Sequence, residues 1–542
     1  MKEHNITPDF TEQDQFLFAE IGNNSAITPA SILSHASELL KTGAPLQHSE
    51  VLSELLEKVQ KVDFQLLAFP DIERKRDELE KLEKQLIGPN GQFKDDPAIR
   101  AQIKDVQAQL DKRKLKHPHY LIITIEEILR LAIDNRWGIC RNHDFVYLYN
   151  GAYWCLLDVE ELKTFLGMAS EKMGLDKYKS RFYQFKDHLH KQFLAAANLP
   201  TPHRPTDMVL VNLQNGTFEI TPKGTKLRGF SREDFITYQL PFEYNSNARA
   251  PLFEAYLNKV LPDKQRQYIL AEYLGYVFIP HGALKLEKTL LLFGSGANGK
   301  SVFFEIVNAL LGKENVSSYS LQSLTNETGY FRAKLANMLV NYASEINGHL
   351  EAAIFKQLVS GEPVEARLPY GEPFTLTHYA KLIFNCNELP RDVEQSNAFF
   401  RRFMIVPFDI TIPEGEQDKE LSKKIIATEL SGVFNWVLEG LHRLLKQKKF
   451  SPCEAARLQV EQYKKQSDSV QMFLEDEGYQ SSSYESRPLK DLFSEYRIYC
   501  IDSGYRACSI KTFSERLRNH NFVIERKNYG MALFIEKIKD VL

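Results

Sequence analysis

Residues 290–312, LLLFGSGANGKSVFFEIVNALLG, constrain this chain more than any other stretch. An apolar run ends in a loop holding three glycines, an asparagine and a lysine, and a second run with helical spacing follows. Gly294, Ser295, Gly296, Ala297, Asn298, Gly299, Lys300 and Ser301 fit the pattern G-x-x-x-x-G-K-[ST]. The flanks matter as much as the loop: TLLLF before it is rich in strand formers, and SVFFEIVNALL after it is amphipathic. In that context glycines let backbone N–H groups turn inward around phosphate oxygens, and the helix N-terminus adds its dipole. Lys300 is placed to bridge the β- and γ-phosphates and Ser301 to ligate Mg²⁺. The stretch predicts a nucleoside triphosphate site, with ATP and Mg²⁺ as the groups it takes.

Residues 288–410 alternate strand and helix patterns, as an α/β nucleotide-binding domain should. Hydrolysis needs an acid near the water and the metal. NMLVNYASEI is a second strand ending in Glu345, which can serve either purpose or simply end a strand at the surface. AKLIFNCNELP is a third, ending in Asn387, whose amide can orient water and sense the γ-phosphate or make an ordinary turn. NAFFRRFMIVPF sets Arg401 and Arg402 ahead of another apolar strand. Arginine is the natural counter-charge for phosphoryl transfer, although a double arginine alone reads equally as a solvated face.

Lys300, Glu345, Asn387 and Arg402 follow one another within little more than a hundred residues. With GSGANGKS, LVNYASE, FKQLVSGEPVEARLPYGEPF, KLIFNCNELP and FFRRFMIVPF in that order, the chain resembles the superfamily 3 helicases. The resemblance is to the helicase half of phage, plasmid and poxvirus primase–helicases, and it covers roughly residues 120–542. It implies an AAA+-like ATPase core in a ring, usually a hexamer, with ATP between neighbouring subunits and an arginine donated across the interface. It also implies a hairpin gripping DNA in the channel, here within residues 356–379. Lys356 and Arg367 would supply charge and LPYGEPF, including Tyr370, the tip. The residues themselves leave open that Arg367 only pairs with Glu365 or Glu372. Many relatives carry two acids at the second strand's end; here Ser344 precedes Glu345, so Glu345 serves both metal and water, or the metal relies on Ser301 and waters.

The rest of the chain reads as follows. Residues 1–119 form a helical region, with an antiparallel helical hairpin whose seams are Ile72, Leu79, Leu82, Leu86 and Ile103, Val106, Leu110, turning at GPNG. That hairpin suits a solvated arm or a contact between subunits. Residues 120–245 form a mixed α/β domain, with β-hairpins turning at Asn150-Gly151 and Asn215-Gly216. Between them DKYKSRFYQFKDHLHKQF mixes cations with aromatics, as a nucleic-acid surface or a half-buried helix would. Residues 246–455 hold the ATPase and 456–542 a winged-helix-like domain. Between 505 and 527 six Lys or Arg face two Glu, and Lys511, Arg516 and Arg518 are candidate DNA contacts.

The net charge is −3, so any nucleic-acid surface must be local. Six cysteines without C-x-x-C spacing argue against a zinc site or disulfide framework. With no apolar run of membrane length and no apolar signal core near the N-terminus, a cytoplasmic protein with no membrane partner is expected. The first 120 residues lack the strand-rich, acid-paired pattern of a primase domain, so priming is expected from a separate primase or polymerase. The leading expectation is an ATP-driven ring helicase or translocase for replication of a phage, plasmid or integrated element. The alternative is an origin- or DNA-end-binding ATPase that uses ATP for assembly.

Overall fold

The computed structural model describes residues 45–87, 95–143, 145–199, 207–221, 224–344, 346, 350–369, 371–390 and 393–538. Residues 47–542 form one compact unit. Its first helix is His48–Lys58, and helices Ile72–Gln85 and Pro97–Lys112 follow. The Arg113 guanidinium forks onto Asp71 at 2.7 and 3.1 Å, tying the end of Pro97–Lys112 to the start of Ile72–Gln85. That contact makes the pair antiparallel, as the two apolar seams predict; the GPNG turn lies outside the described residues.

Helix His117–Asp134 leads into an antiparallel sheet of β1 (Gly138–Asn142), β2 (Phe145–Tyr149) and β3 (Trp154–Leu156). Helices Val159–Lys172 and Tyr183–Ala196 separate it from a second meander, β4 (Val209–Leu213), β5 (Gly216–Thr221) and β6 (Gly224–Arg228). Leu213 pairs with Gly216, so the turn residues are Gln214 and Asn215, one position earlier than the sequence suggests. Gly216 belongs to the strand, at φ +143°, where a side chain would collide with the Arg228 carbonyl.

Two helices, Pro251–Val260 with one buried face and the largely buried Lys264–Val277, precede the central sheet. Glu429 caps the first of them, accepting from the Leu252 and Phe253 amides at 3.0 Å. Gly440 lets helix Leu430–Gln447 approach Lys264–Val277 so closely that any side chain there would strike the Ala271 carbonyl carbon.

The central sheet is built from β7 (Thr289–Phe293), β8 (Val316–Ser317), β9 (Val340–Ala343), β12 (Lys381–Cys386) and β13 (Phe403–Pro407). Its order is β13-β7-β12-β9-β8, every pair parallel. Alternate residues feed opposite cores. Leu290, Leu292, Ile383 and Val406 pack with helices 251–277 and 421–447, while Leu291, Phe384 and Ile405 pack with Phe355 and Phe399 on the other face. Burial on both faces explains why β7 and β13 read as nearly continuous apolar runs. Between β9 and β12, β10 (Val364–Arg367) and β11 (Pro373–Leu376) make a separate antiparallel hairpin.

The last part joins helices Leu489–Asp502 and Ile510–Asn519 to a sheet of β14 (Tyr479–Pro488), β15 (Ile524–Lys527) and β16 (Gly530–Lys537), ordered β14-β16-β15. The architecture is thus mixed α/β with several subdomains around a parallel sheet. No helix among the described residues is long and apolar enough to cross a membrane.

Candidate functional site

The phosphate loop leaves the carboxyl end of β7, between its neighbours β12 and β13. Two hydrogen bonds set the take-off: Gly294 N–H donates to the Cys386 carbonyl at 3.1 Å, and Phe408 N–H to the Phe293 carbonyl at 2.7 Å. Gly294 is required because a side chain there would collide with Asn298 Nδ2 and the Phe408 carbonyl. Gly299 sits at φ +87° as the residue before helix Lys300–Leu311, against the ring of Tyr256. Tyr256 donates its hydroxyl proton to the Gly299 carbonyl at 2.8 Å, a support that the motif does not reveal.

Asn298 braces the loop from inside, donating through Nδ2 to the Phe408 carbonyl at 3.0 Å. Its Oδ1 accepts from Lys300 Nζ at 3.1 Å, and the Gly294 carbonyl accepts from the same ammonium at 2.6 Å. Lys300 is buried, and burial holds its pKa below the ordinary lysine value. Among the described residues no carboxylate pairs with it. A desolvated cation with only neutral acceptors, at a helix N-terminus, is a cradle for an anion. Ser301 is exposed on the same first turn, and Ser295 and Ala297 are also exposed. Ala297 takes a left-handed φ of +48°, and its carbonyl accepts from Ile412 N–H at 2.8 Å.

The companions divide by sheet edge. Ala343, last in β9, stands level with Phe384 and through it with Leu291, so β9 ends on the same edge as the loop. Glu345 itself lies outside the described residues. Asn387 is exposed directly after β12, one residue beyond the carbonyl that holds Gly294. Arg401 and Arg402 precede β13 at the opposite edge, where Thr289 N–H donates to the Arg402 carbonyl. The loop and these arginines are separated by the length of β13, about 13 Å. Arg402 is buried, reaching Ser360 Oγ at 2.9 Å, the Ala398 carbonyl and Glu287. Arg401 is exposed and meets Glu287 at 3.0 Å.

The β10–β11 hairpin is where the sequence places it. Arg367 pairs with Pro373 across the ladder, and its Nε donates to the Gly371 carbonyl at 2.8 Å. Among the described residues neither Glu365 nor Glu372 pairs with it, and Leu368 beside it is exposed. Tyr370 lies outside the described residues. Buried Arg332 fixes the hairpin's base by donating to the Glu365 carbonyl at 2.8 Å. Lys356 differs from expectation: Glu394 holds it at 2.8 Å, so its charge is committed within the fold.

Lys511 and Arg518 are exposed on helix Ile510–Asn519, whereas Arg516 is turned inward. It meets buried Asp468 at 3.2 Å, and His520 meets the same carboxylate at 3.0 Å. Burial would raise the Asp468 pKa, but His520 and Arg516 outweigh it and hold the group below the usual range. Asp468 also caps helix Ser469–Asp476 through the Val470 and Gln471 amides. Asp468→Ala is therefore expected to cost roughly 2–4 kcal/mol, since it strands a partly buried arginine and removes a cap. A depressed carboxylate pKa contributes stability above its unfolded value and loses it as pH falls through the folded one. Denaturant titrations should accordingly show the wild-type advantage over Asp468→Ala at pH 7 and its loss well below pH ~4. An equal midpoint for the two at pH 7 would exclude this role.

Residues 126–262 match the family model described as D5 N terminal like, and residues 292–402 match a family of unknown function, DUF5906. Over 234 residues the chain is 26% identical to "Putative helicase L207/L206" of Acanthamoeba polyphaga mimivirus, covering 40% of this chain and 23% of that protein. Over 342 residues it is 20% identical to "Putative helicase 121R" of Invertebrate iridescent virus 3, covering 54% of this chain and 35% of that one. The matched region thus spans about a quarter to about a third of these relatives. Among solved structures, the apo NrS-1 C terminal region is 12% identical at a TM-score of 0.42, covering 78% of this chain and 99% of that one. A likeness that loose carries no argument. In these parts the chain is similar to a D5 N terminal like segment and to viral proteins named as putative helicases.

Proposed function

We propose that the chain is an ATP-hydrolysing DNA helicase of superfamily 3, working as a ring, six subunits in the family's usual form, in replication of a phage, plasmid or integrated element. The observation that carries the reading is the buried Lys300 ammonium, with no carboxylate partner among the described residues, in a strand–loop–helix at the carboxyl edge of a parallel sheet. In this reading Lys300 holds the β- and γ-phosphates, Asn387 orients the attacking water and Glu345 takes its proton. Ser301 and Glu345 would hold Mg²⁺, which neutralises phosphate charge when bound. Arg401 completes a neighbour's site. The β10–β11 hairpin follows a DNA strand through the channel, and the 456–542 segment acts as a winged helix on duplex. The viral relatives named as helicases support the reading.

Strand displacement on a forked duplex tests it. ATP-dependent displacement that disappears in Lys300→Ala is expected; ATP-dependent binding without displacement would favour an assembly ATPase at an origin or DNA end instead. The hairpin gives a second check. Arg367→Ala should keep basal ATPase but lose DNA stimulation and unwinding together, and lower the salt slope of DNA binding by about one. Normal stimulation and unwinding in that variant would remove the hairpin from the mechanism.

A further inference from the structure

A second pocket lies at the other end of the sheet. An open cavity of about 440 Å³ is lined by β1 and β2, residues 235–238, the end of helix Lys264–Val277, residues 336–339 and the approach to β12. The first residue of β12, Lys381, is on its wall and buried. Its Nζ lies 3.2 Å from His281 Nδ1 and 4.2 Å from the centre of the Tyr276 ring. His281 Nε2 is 2.7 Å from the Tyr379 carbonyl, so the proton sits on Nε2 and Nδ1 accepts from the lysine. Both partners of the ammonium are neutral. No aspartate or glutamate is among the described residues lining the cavity. Burial pushes the Lys381 pKa down to about 7.

Two further features set this cavity apart. Tyr147, Phe235 and Tyr238 supply ring surface to its wall. His143 (φ +52°), Phe235 (φ +47°) and Asn337 (φ +62°) all line it, three of the eight non-glycine residues held left-handed among those described. Such strain persists only where surrounding packing imposes it, and it gathers at ligand sites. The volume falls in the range of small-ligand pockets.

We infer that this cavity is a second nucleotide site, taking a planar base against its aromatic wall and a phosphate on Lys381. β12 joins it to the phosphate loop, since Cys386 at the far end of the strand holds Gly294, about 17 Å away. The bound group is a free mononucleotide or the phosphorylated end of a strand.

The test uses the full chain carrying Lys300→Ala, which silences the phosphate loop, with labelled dAMP in equilibrium dialysis. One dAMP per chain is expected to remain bound, with inorganic phosphate and deoxyadenosine each about tenfold or more weaker. Adding Lys381→Met should weaken dAMP about tenfold or more. Thr377→Trp should abolish binding; Thr377 lines the cavity yet is exposed, so this variant plugs the opening without entering the core. Loss of all binding in Lys300→Ala alone, or binding indifferent to both added substitutions, would overturn the inference. Displacement of dAMP by a 5′-phosphorylated oligonucleotide assigns the strand end as the source; failure to displace assigns the free nucleotide. Because Lys300 is absent throughout, failure here leaves the helicase reading untouched.

Discussion

Lys300→Ala is expected to abolish ATP turnover while leaving the chain folded. In the proposed reading the ammonium is the charge that meets the transferred phosphate, and removing one such preorganised group typically costs about a hundredfold to a thousandfold in rate. The structure explains why the fold should survive. Among the described residues the Lys300 ammonium meets the Gly294 carbonyl and Asn298 Oδ1 alone, and burial depresses its pKa. A folded pKa below the unfolded one means that the charged form costs stability, so its removal strands no carboxylate among the described residues. Lys300→Met, which keeps the aliphatic stem, should melt at or above the wild-type temperature and be equally inactive. Turnover at the wild-type rate in either variant would remove the phosphate-loop reading altogether.

How much of this was legible in the sequence depended on how local each cause is. The loop from Gly294 to Ser301 was readable because strand, turn and helix are contiguous and each is fixed by its own residues. β9, β12 and β13 were readable for a related reason: both faces of each strand are buried, so most of their positions are apolar. β8, only Val316–Ser317, is too short to carry a pattern. β14 reads YQSSSYESRP, a polar strand that owes its place to pairing with β16 and not to burial. Sheet order was not legible, because it depends on how the crossovers close in space.

The candidate site follows the same rule. The exposure of Lys511 and Arg518 agrees with their place on the outer face of an amphipathic helix. Arg516 and Lys356 could not be told from their neighbours, because their partners Asp468 and Glu394 are 48 and 38 positions away. Lys381 went unnoticed for the opposite reason: in AKLIFNCNELP it looks like the polar start of a strand, and only the packing of His281 and Tyr276 around it shows that it is buried.

Arg401→Ala and Arg402→Ala should fail in different ways. Side by side in sequence, the two arginines were equivalent candidates for completing a neighbour's site. Arg402 has only 9% of its side chain exposed and is bound to Ser360, the Ala398 carbonyl and Glu287. Its removal leaves Glu287 short of a partner and a void beneath β13, so Arg402→Ala is expected to lose about 2–4 kcal/mol of stability. Arg401 is 64% exposed, and its one ion pair, with Glu287, is worth ~0–1 kcal/mol. Arg401→Ala should therefore melt like the wild type and, if it faces a neighbour's γ-phosphate, lose about a thousandfold in turnover. Because its own phosphate loop is on the far edge of the sheet, the loss should be repairable between subunits. Mixing Arg401→Ala with Lys300→Ala subunits creates interfaces in which one chain supplies an intact lysine and the other an intact arginine. Recovery of ATPase that peaks near equal proportions is the expected result, measured on rings shown to contain both variants. No recovery at any ratio would place Arg401 outside the catalytic interface, and an inactive but fully stable Arg402→Ala would transfer the role to its neighbour.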